Sequence, residues 1–351
     1  MVITIVSFFV VLLVLVLAHE LGHFIAARAF KVKIIEFGVG FPPRLLSRKR
    51  GDIVYSVNAV PLGGFVKLAG EEDPNVPGAL ASKSWGVRIL VLSAGSLMNL
   101  ILPILLLSIA FMLPHNAVMG AVTVEEIAPN SPAAIAGIQP GDVLLSINGT
   151  PLNSIGDLQR LIQLNLGNEI TMAVKRGDAL REVKVVPRWK PPPGQGAVGI
   201  LSRLVNPTVV SESEPFWRAV PMGATECVEI FVLFKNEIVR WIIGTSPVQV
   251  TGPVGIAQLT GEVARAGISP LFEFAAFISI NLGIINIFPL PALDGGRIAF
   301  VVLEMMRRGR RVSPKTEGLV HMIGFALLMS LVLVITYHDI LNIITSGSAV
   351  P

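Results

Sequence analysis

Two histidines and a glutamate near the start of the chain have the spacing of a metal site. His19-Glu20-Leu21-Gly22-His23 lies in an apolar run that begins near Ile3. On a helix, positions i and i+4 share a face, so His19 and His23 can offer two imidazoles to one metal ion. Glu20 lies one residue round, where a carboxylate can hold and deprotonate a water. H-E-x-x-H is the signature of a zinc hydrolase. The setting is unusual, because no residue before His19 is charged and most are aliphatic. The simplest reading is a zinc site built inside a membrane.

Two histidines leave a ligand missing, and a second motif far along the chain can supply it. Asn286-Ile287-Phe288-Pro289-Leu290-Pro291-Ala292-Leu293-Asp294-Gly295-Gly296 follows an apolar stretch. Its two prolines break helical hydrogen bonding, and its glycines loosen the chain again. Broken backbone at membrane depth is tolerated only inside protein or beside a cavity. Asp294 has an apolar approach and is the best candidate for the third ligand. Two histidines and a carboxylate leave a fourth position for water. The competing use of Asp294 is an ion pair with Arg297. Asn99, Asn281 and Asn286 are further polar residues in apolar surroundings. Asn99 is a candidate for positioning a substrate or the site, with interhelical hydrogen bonding as the alternative, and Asn281 and Asn286 are left to be explained.

Composition supports a membrane setting. The chain has 351 residues, 52% of them hydrophobic and only 15% charged, against about 25% charged in soluble proteins. The net charge of +4 sits in a few short basic runs, which suits membrane orientation and argues against nucleic-acid binding. A single cysteine, Cys227, excludes an intramolecular disulfide and an all-cysteine zinc site. The apolar N-terminus lacks a basic flank and runs into the zinc motif, so it is expected to be a retained anchor, not a cleaved signal.

Four transmembrane helices are predicted, at about 3–30, 85–113, 271–290 and 317–340. Residues 31–83 mix basic residues, glycines and alternating apolar positions, which predicts a small membrane-associated β-region. Sheet edges cannot lie in lipid, so this region is cytoplasmic or shielded by helices. Its edge strand either pairs with an extended substrate or serves structure alone. Residues 114–190 read as an inserted α+β domain. Asn148-Gly149 makes a tight hairpin there, and Leu158, Leu161 and Ile162 form the inward face of a helix. Residues 191–270 read as a linker and an interfacial amphipathic helix at 216–243, with Gly252 to Ile256 as a broken, turn-rich element. A fifth crossing at 216–243 is the minority reading, because charges are spread through it. Basic loops at 31–50 and 307–315 fall on one side, which should be cytoplasmic. Residues 114–270 and both termini are then extracytoplasmic, and all three ligands reach similar depth near the cytoplasmic face. His321 is expected to pack or lie at the interface, not to bind metal.

These motifs resemble the site-2 protease family of intramembrane zinc metalloproteases. His19 to His23 matches its first zinc motif. Asn286 to Gly295 matches its Asn-x-x-Pro-x-Pro-x-Leu-Asp-Gly motif, with Asp294 as third ligand and Asn286 contacting substrate or supporting the site. The run from Ser131 to Gly149 resembles a PDZ domain in its circularly permuted bacterial form, here present once where some members have two. Such a domain implies peptide binding, steric gating or shielding. The resemblance implies a Zn2+-dependent endopeptidase, resident in the inner or plasma membrane, with Glu20 catalytic. Its implied partner is a single-pass membrane protein, such as an anti-sigma factor already cut by another protease. A non-catalytic membrane scaffold that binds peptides through the PDZ-like domain is the competing class, and a metal-dependent transporter a third.

Overall fold

The computed structural model describes residues 2–71, 73, 75–247 and 250–346. Of the polar loop after the β-region, Glu72 and Pro74 lie outside the described residues. The chain forms two compact units, Met1–Ala110 with Val250–Pro351, and Phe111–Gln249.

The first unit begins with helix α1, Val2–Ala29. At about 1.5 Å per residue its 28 residues exceed the roughly 30 Å apolar thickness of a bilayer. Leu15, His19, Gly22, His23, Ala26 and Ala27 form its buried stripe. Strands β1, Ile34–Arg50, and β2, Ile53–Leu68, form one long antiparallel hairpin closed at Arg50↔Ile53. The register shifts around Phe41 to Leu46, where Pro42 and Pro43 cannot donate to the ladder. The base of the hairpin is its buried part: Ile34 and Leu68 pack with Ala27, Leu80, Val91 and Val301. Helix α2, Trp85–Met112, carries Pro103 inside it.

The second unit is built on an antiparallel sheet. Its strands are β3 (His115–Ile127), β4 (Val143–Ile147), β5 (Thr150–Pro151), β6 (Ile170–Arg176), β7 (Ala179–Val185) and β8 (Ile200–Glu212). They run in the order β7-β6-β4-β3-β8, with β5 paired to β4. Helices α3, Pro132–Ile135, and α4, Ile155–Leu164, start on serine caps, Ser131 and Ser154. Asp157 completes a capping box on α4. Val122, Leu144, Ile147, Leu158, Ile162, Ile170 and Met172 close one core. β8 lies within the stretch that sequence reading leaves as linker. Its polar and proline-bearing run Ser202 to Ser211 hides the alternation, and only pairing with β3 along its length reveals it. Helix α5, Phe216–Ile242, is tied to α4: Arg160 bonds Glu226 and Glu229 at 2.5 and 2.6 Å, and Asn236 donates to the Gln163 carbonyl.

The chain then re-enters the first unit with α6, Pro253–Ala266. This helix replaces the turn-rich element expected from Gly252 to Ile256. Gly252 and Pro253 are a helix start, with proline in the first turn where its missing N–H costs nothing. Gly252 has no side chain to cap with, and the buried Asp339 carboxylate does so from afar, accepting from the Gly252 and Gly255 N–H groups at 3.3 and 2.9 Å. Helix α7 spans Ile268–Ile287, α8 Asp294–Met306 and α9 Pro314–Ser346. Among the described residues, four helices are long and apolar enough to cross a membrane: α1, α2, α7 and α9. The charged α5 is not one of them.

Candidate metal centre

The site is assembled from α1, α2 and the start of α8. Gly22 sets the approach of α1 to α2, since a Cβ there would lie 2.3 Å from the Ala94 carbonyl oxygen. That closeness lets the Val91 carbonyl accept from His23 Nδ1 at 2.8 Å and brings Asn99 Nδ2 within 3.4 Å of His19 Nδ1. Gly95 faces the two rings. A Cβ on it would fall 2.3 Å from His23 Nε2 and 2.6 Å from His19 Nε2.

Asp294 reaches the same point from 271 residues away along the chain. Between α7 and α8 the segment Phe288 to Leu293 doubles back tightly. A Cβ on Gly295 would overlap the Phe288 and Ile287 carbonyl oxygens, and one on Gly296 the Leu290 carbonyl oxygen. His321 on α9 steadies this segment, accepting from the Ala292 N–H at 2.9 Å. No local pattern marks that role in the sequence; the His321 ring packs against Phe300. At its far end α8 is anchored to α2 by a buried charge cluster. Arg88 bonds Glu304 at 2.6 Å, and Trp85 and Arg311 bond the same carboxylate. Burial alone would raise the Glu304 carboxyl, but hydrogen bonds from Arg88 and Arg311 outweigh it and hold the group below the usual carboxylate range. The ion pair considered between Asp294 and Arg297 is not the arrangement found: Arg297 bonds Glu71.

His19 Nε2, His23 Nε2 and Asp294 Oδ2 form a triangle with edges of 3.0, 3.2 and 3.2 Å. Zinc with nitrogen and oxygen ligands at about 2.0–2.2 Å has tetrahedral edges of about 3.3–3.6 Å, so the triangle fits one face of such a site with a slight outward adjustment. The donor chemistry also fits, and the Gly95 concavity leaves the space beside both Nε2 atoms open. Glu20 lies against β2, where a Cβ on Gly64 would fall 3.4 Å from its Cγ. Asn99 is buried beside His19. Asn286 is half-buried on the last turn of α7, and among the described residues its side chain has no hydrogen-bond partner. Asn281 bonds back to the Phe277 carbonyl in its own helix. An apolar cavity of about 760 Å³ is lined by Phe8, Leu12 and Leu15 of α1, Phe41 of β1, Ile256 of α6 and Phe325 of α9. Leu15 stands one helical turn from His19 on the same face of α1.

Two imidazoles and a carboxylate, with helices long enough to cross a bilayer, are the donor set and the setting that suit a metal-dependent hydrolase of a membrane. The profile of peptidase family M50 matches residues 7–331. A Clostridium acetobutylicum protein, provisionally named a zinc metalloprotease, is 36% identical over 329 residues, covering 93% of this chain and 94% of its own. The regulator of sigma-W protease RasP of Bacillus subtilis is 29% identical over 423 residues, covering 96% and 98%. The zinc metalloprotease RasP of Geobacillus kaustophilus is 30% identical over 424 residues, covering 96% and 97%. Two solved PDZ domains of SdrC-like proteins, from Listeria innocua and Listeria monocytogenes, cover 24% of the chain at 24% and 21% identity, each with a TM-score of 0.22. The chain belongs to peptidase family M50, the site-2 protease family. It is a multi-pass membrane protein and a zinc-dependent intramembrane protease of regulated proteolysis.

Proposed function

We propose that His19, His23 and Asp294 hold the catalytic zinc, and that Glu20 is the general base and acid of peptide hydrolysis. The convergence of three ligand atoms from α1 and α8 within 4.8 Å of one another carries this reading. Zinc held there supplies a Lewis acid that polarises water and the scissile carbonyl. The Glu20 carboxylate takes the proton from the attacking water and returns it to the leaving amine nitrogen.

The substrate is a single-pass membrane protein, cut within or near its transmembrane segment. A helical carbonyl carbon is shielded by the surrounding turn, so the segment must unwind before attack. A free edge of the β1–β2 hairpin pairs with the extended chain, Asn286 bonds its freed backbone, and the apolar cavity takes flanking side chains. That substrate is an anti-sigma factor already trimmed by another protease; the relative named regulator of sigma-W protease supports the sigma-factor connection. The basic residues of the hairpin and of 307–315 support a cytoplasmic placement for both, with the inserted unit and both termini extracytoplasmic. Water then reaches the site from the cytoplasmic face.

Asp294→Ala tests the ligand assignment. The purified variant should lose most of its bound zinc while the fold persists. Unchanged zinc content would remove Asp294 from the metal.

A further inference from the structure

We infer that Asn99 is a positioning residue for His19: its buried amide holds ring Nδ1 in either tautomer, so that Nε2 can turn to zinc. The inference rests on the reading of His19 as a ligand. The two histidines are supported differently. His23 Nδ1 faces the Val91 carbonyl, which can only accept, so the proton sits on Nδ1 and Nε2 keeps its lone pair. His19 has no carbonyl in that place. Its Nδ1 faces the side-chain amide of Asn99 at 3.4 Å. Asn99 is 1% exposed, and Ser279 of α7 donates to its backbone carbonyl at 2.8 Å, so the residue is held between helices.

An amide offers a donor at one end and an acceptor at the other, in nearly the same shape. With the NH2 toward His19, Nδ1 accepts and the ring proton lies on Nε2, which faces Asp294 Oδ2 at 3.0 Å. That arrangement closes the ligand triangle without metal. Among the described residues it leaves Asn99 Oδ1 buried with no partner. A half-turn of the amide places Oδ1 against Nδ1–H and frees the Nε2 lone pair. The half-turn exchanges an unused acceptor for unused donors, so Asn99 alone does not choose between the two. The choice is made by what His19 Nε2 faces, a carboxylate or a metal ion. Asparagine serves both arrangements, whereas a side chain that only accepts serves the metal-bound one.

Zinc affinity of the full-length protein in detergent, measured by competition with a chromophoric chelator, tests this. Asn99→Leu should bind zinc about 10- to 100-fold more weakly. Asn99→Asp, which keeps an acceptor, should stay much closer to the parent. At saturating zinc the KM of Asn99→Leu for a membrane substrate should match the parent's. Parent-like affinity in Asn99→Leu would overturn the inference, as would equal losses in both variants. A raised KM with unchanged affinity would overturn it in favour of substrate contact. His19→Ala separates the two levels: zinc retained by that variant would refute the ligand reading itself. Monodispersity on size exclusion confirms that each variant is folded, and the aspartate variant controls for loss of packing at this position.

Discussion

Gly95→Ala should disable the site with a single methyl group. Gly95 contributes no donor and no charge, so every consequence follows from volume. Its Cβ would stand 2.3 Å from His23 Nε2 and 2.6 Å from His19 Nε2, where carbon contacts need roughly 3.5 Å. The rings or the helix must move by about 1 Å, against a tolerance of about 0.2 Å in ligand distance. Neither ring gives easily, because His23 is held by Val91 and the backbone of α1 abuts α2 at Gly22. A misplacement of about 1 Å costs on the order of 100-fold in rate, and zinc affinity should fall by at least a comparable factor. Gly86→Ala on the same helix is the control, since nothing lies within 4 Å of a Cβ there. Zinc stoichiometry by elemental analysis and cleavage of a reconstituted membrane substrate should both collapse in the first variant and persist in the second. Stoichiometric zinc and parental cleavage in Gly95→Ala would refute the placement of the metal beside α2.

Three further outcomes follow from other parts of the molecule. Glu304→Gln leaves Arg88, whose side chain is 9% exposed, without its charge partner, and should destabilise the membrane unit by about 3–5 kcal/mol in chaotrope titrations. Asp339→Ala removes the acceptor for the first turn of α6 and should cost about 0.5–2 kcal/mol, read as faster amide exchange near Gly255. In the inserted unit, hydrogen bonding from Arg176 holds Asp142 below the ordinary aspartate value of 3.8. The stability it adds is complete above that value and is lost as pH falls through the lower folded one. Amide exchange in β4, corrected for intrinsic rate, should therefore accelerate below about pH 4 in the parent and show a weaker acid dependence in Asp142→Asn.

The sequence exposed those features whose physics is local. An uncharged 18-residue approach to His19 marks a membrane helix, and i, i+4 spacing puts both imidazoles on one face. Pro289, Pro291 and the two glycines announce a break in the helix because they act on their own backbone. Asp294 was accessible to reasoning because a carboxylate in apolar surroundings needs a reason. Long-range partnerships left no such trace. Glu304 reads as one polar residue in an amphipathic helix until Arg88, 216 residues earlier, is seen against it. Asp339 and His321 are polar residues of the apolar α9, and their partners are backbone N–H groups that no sequence pattern displays. Gly95 is a small residue in an apolar helix, and what it contacts depends on the fold. β8 escaped for a related reason: strand pairing at a distance, not alternation, defines it.

In the proposed mechanism Glu20 moves protons at a zinc site that cuts membrane-embedded peptide bonds. Glu20→Gln isolates that step, because the amide nearly matches the carboxylate in size and leaves His19, His23 and Asp294 in place. Membranes carrying the parent or the variant protein are compared for accumulated precursor fragments, with zinc content measured on both proteins. The variant should keep its zinc and lose cleavage, so that uncut precursors accumulate. Equal cleavage by the variant and the parent would contradict the mechanism.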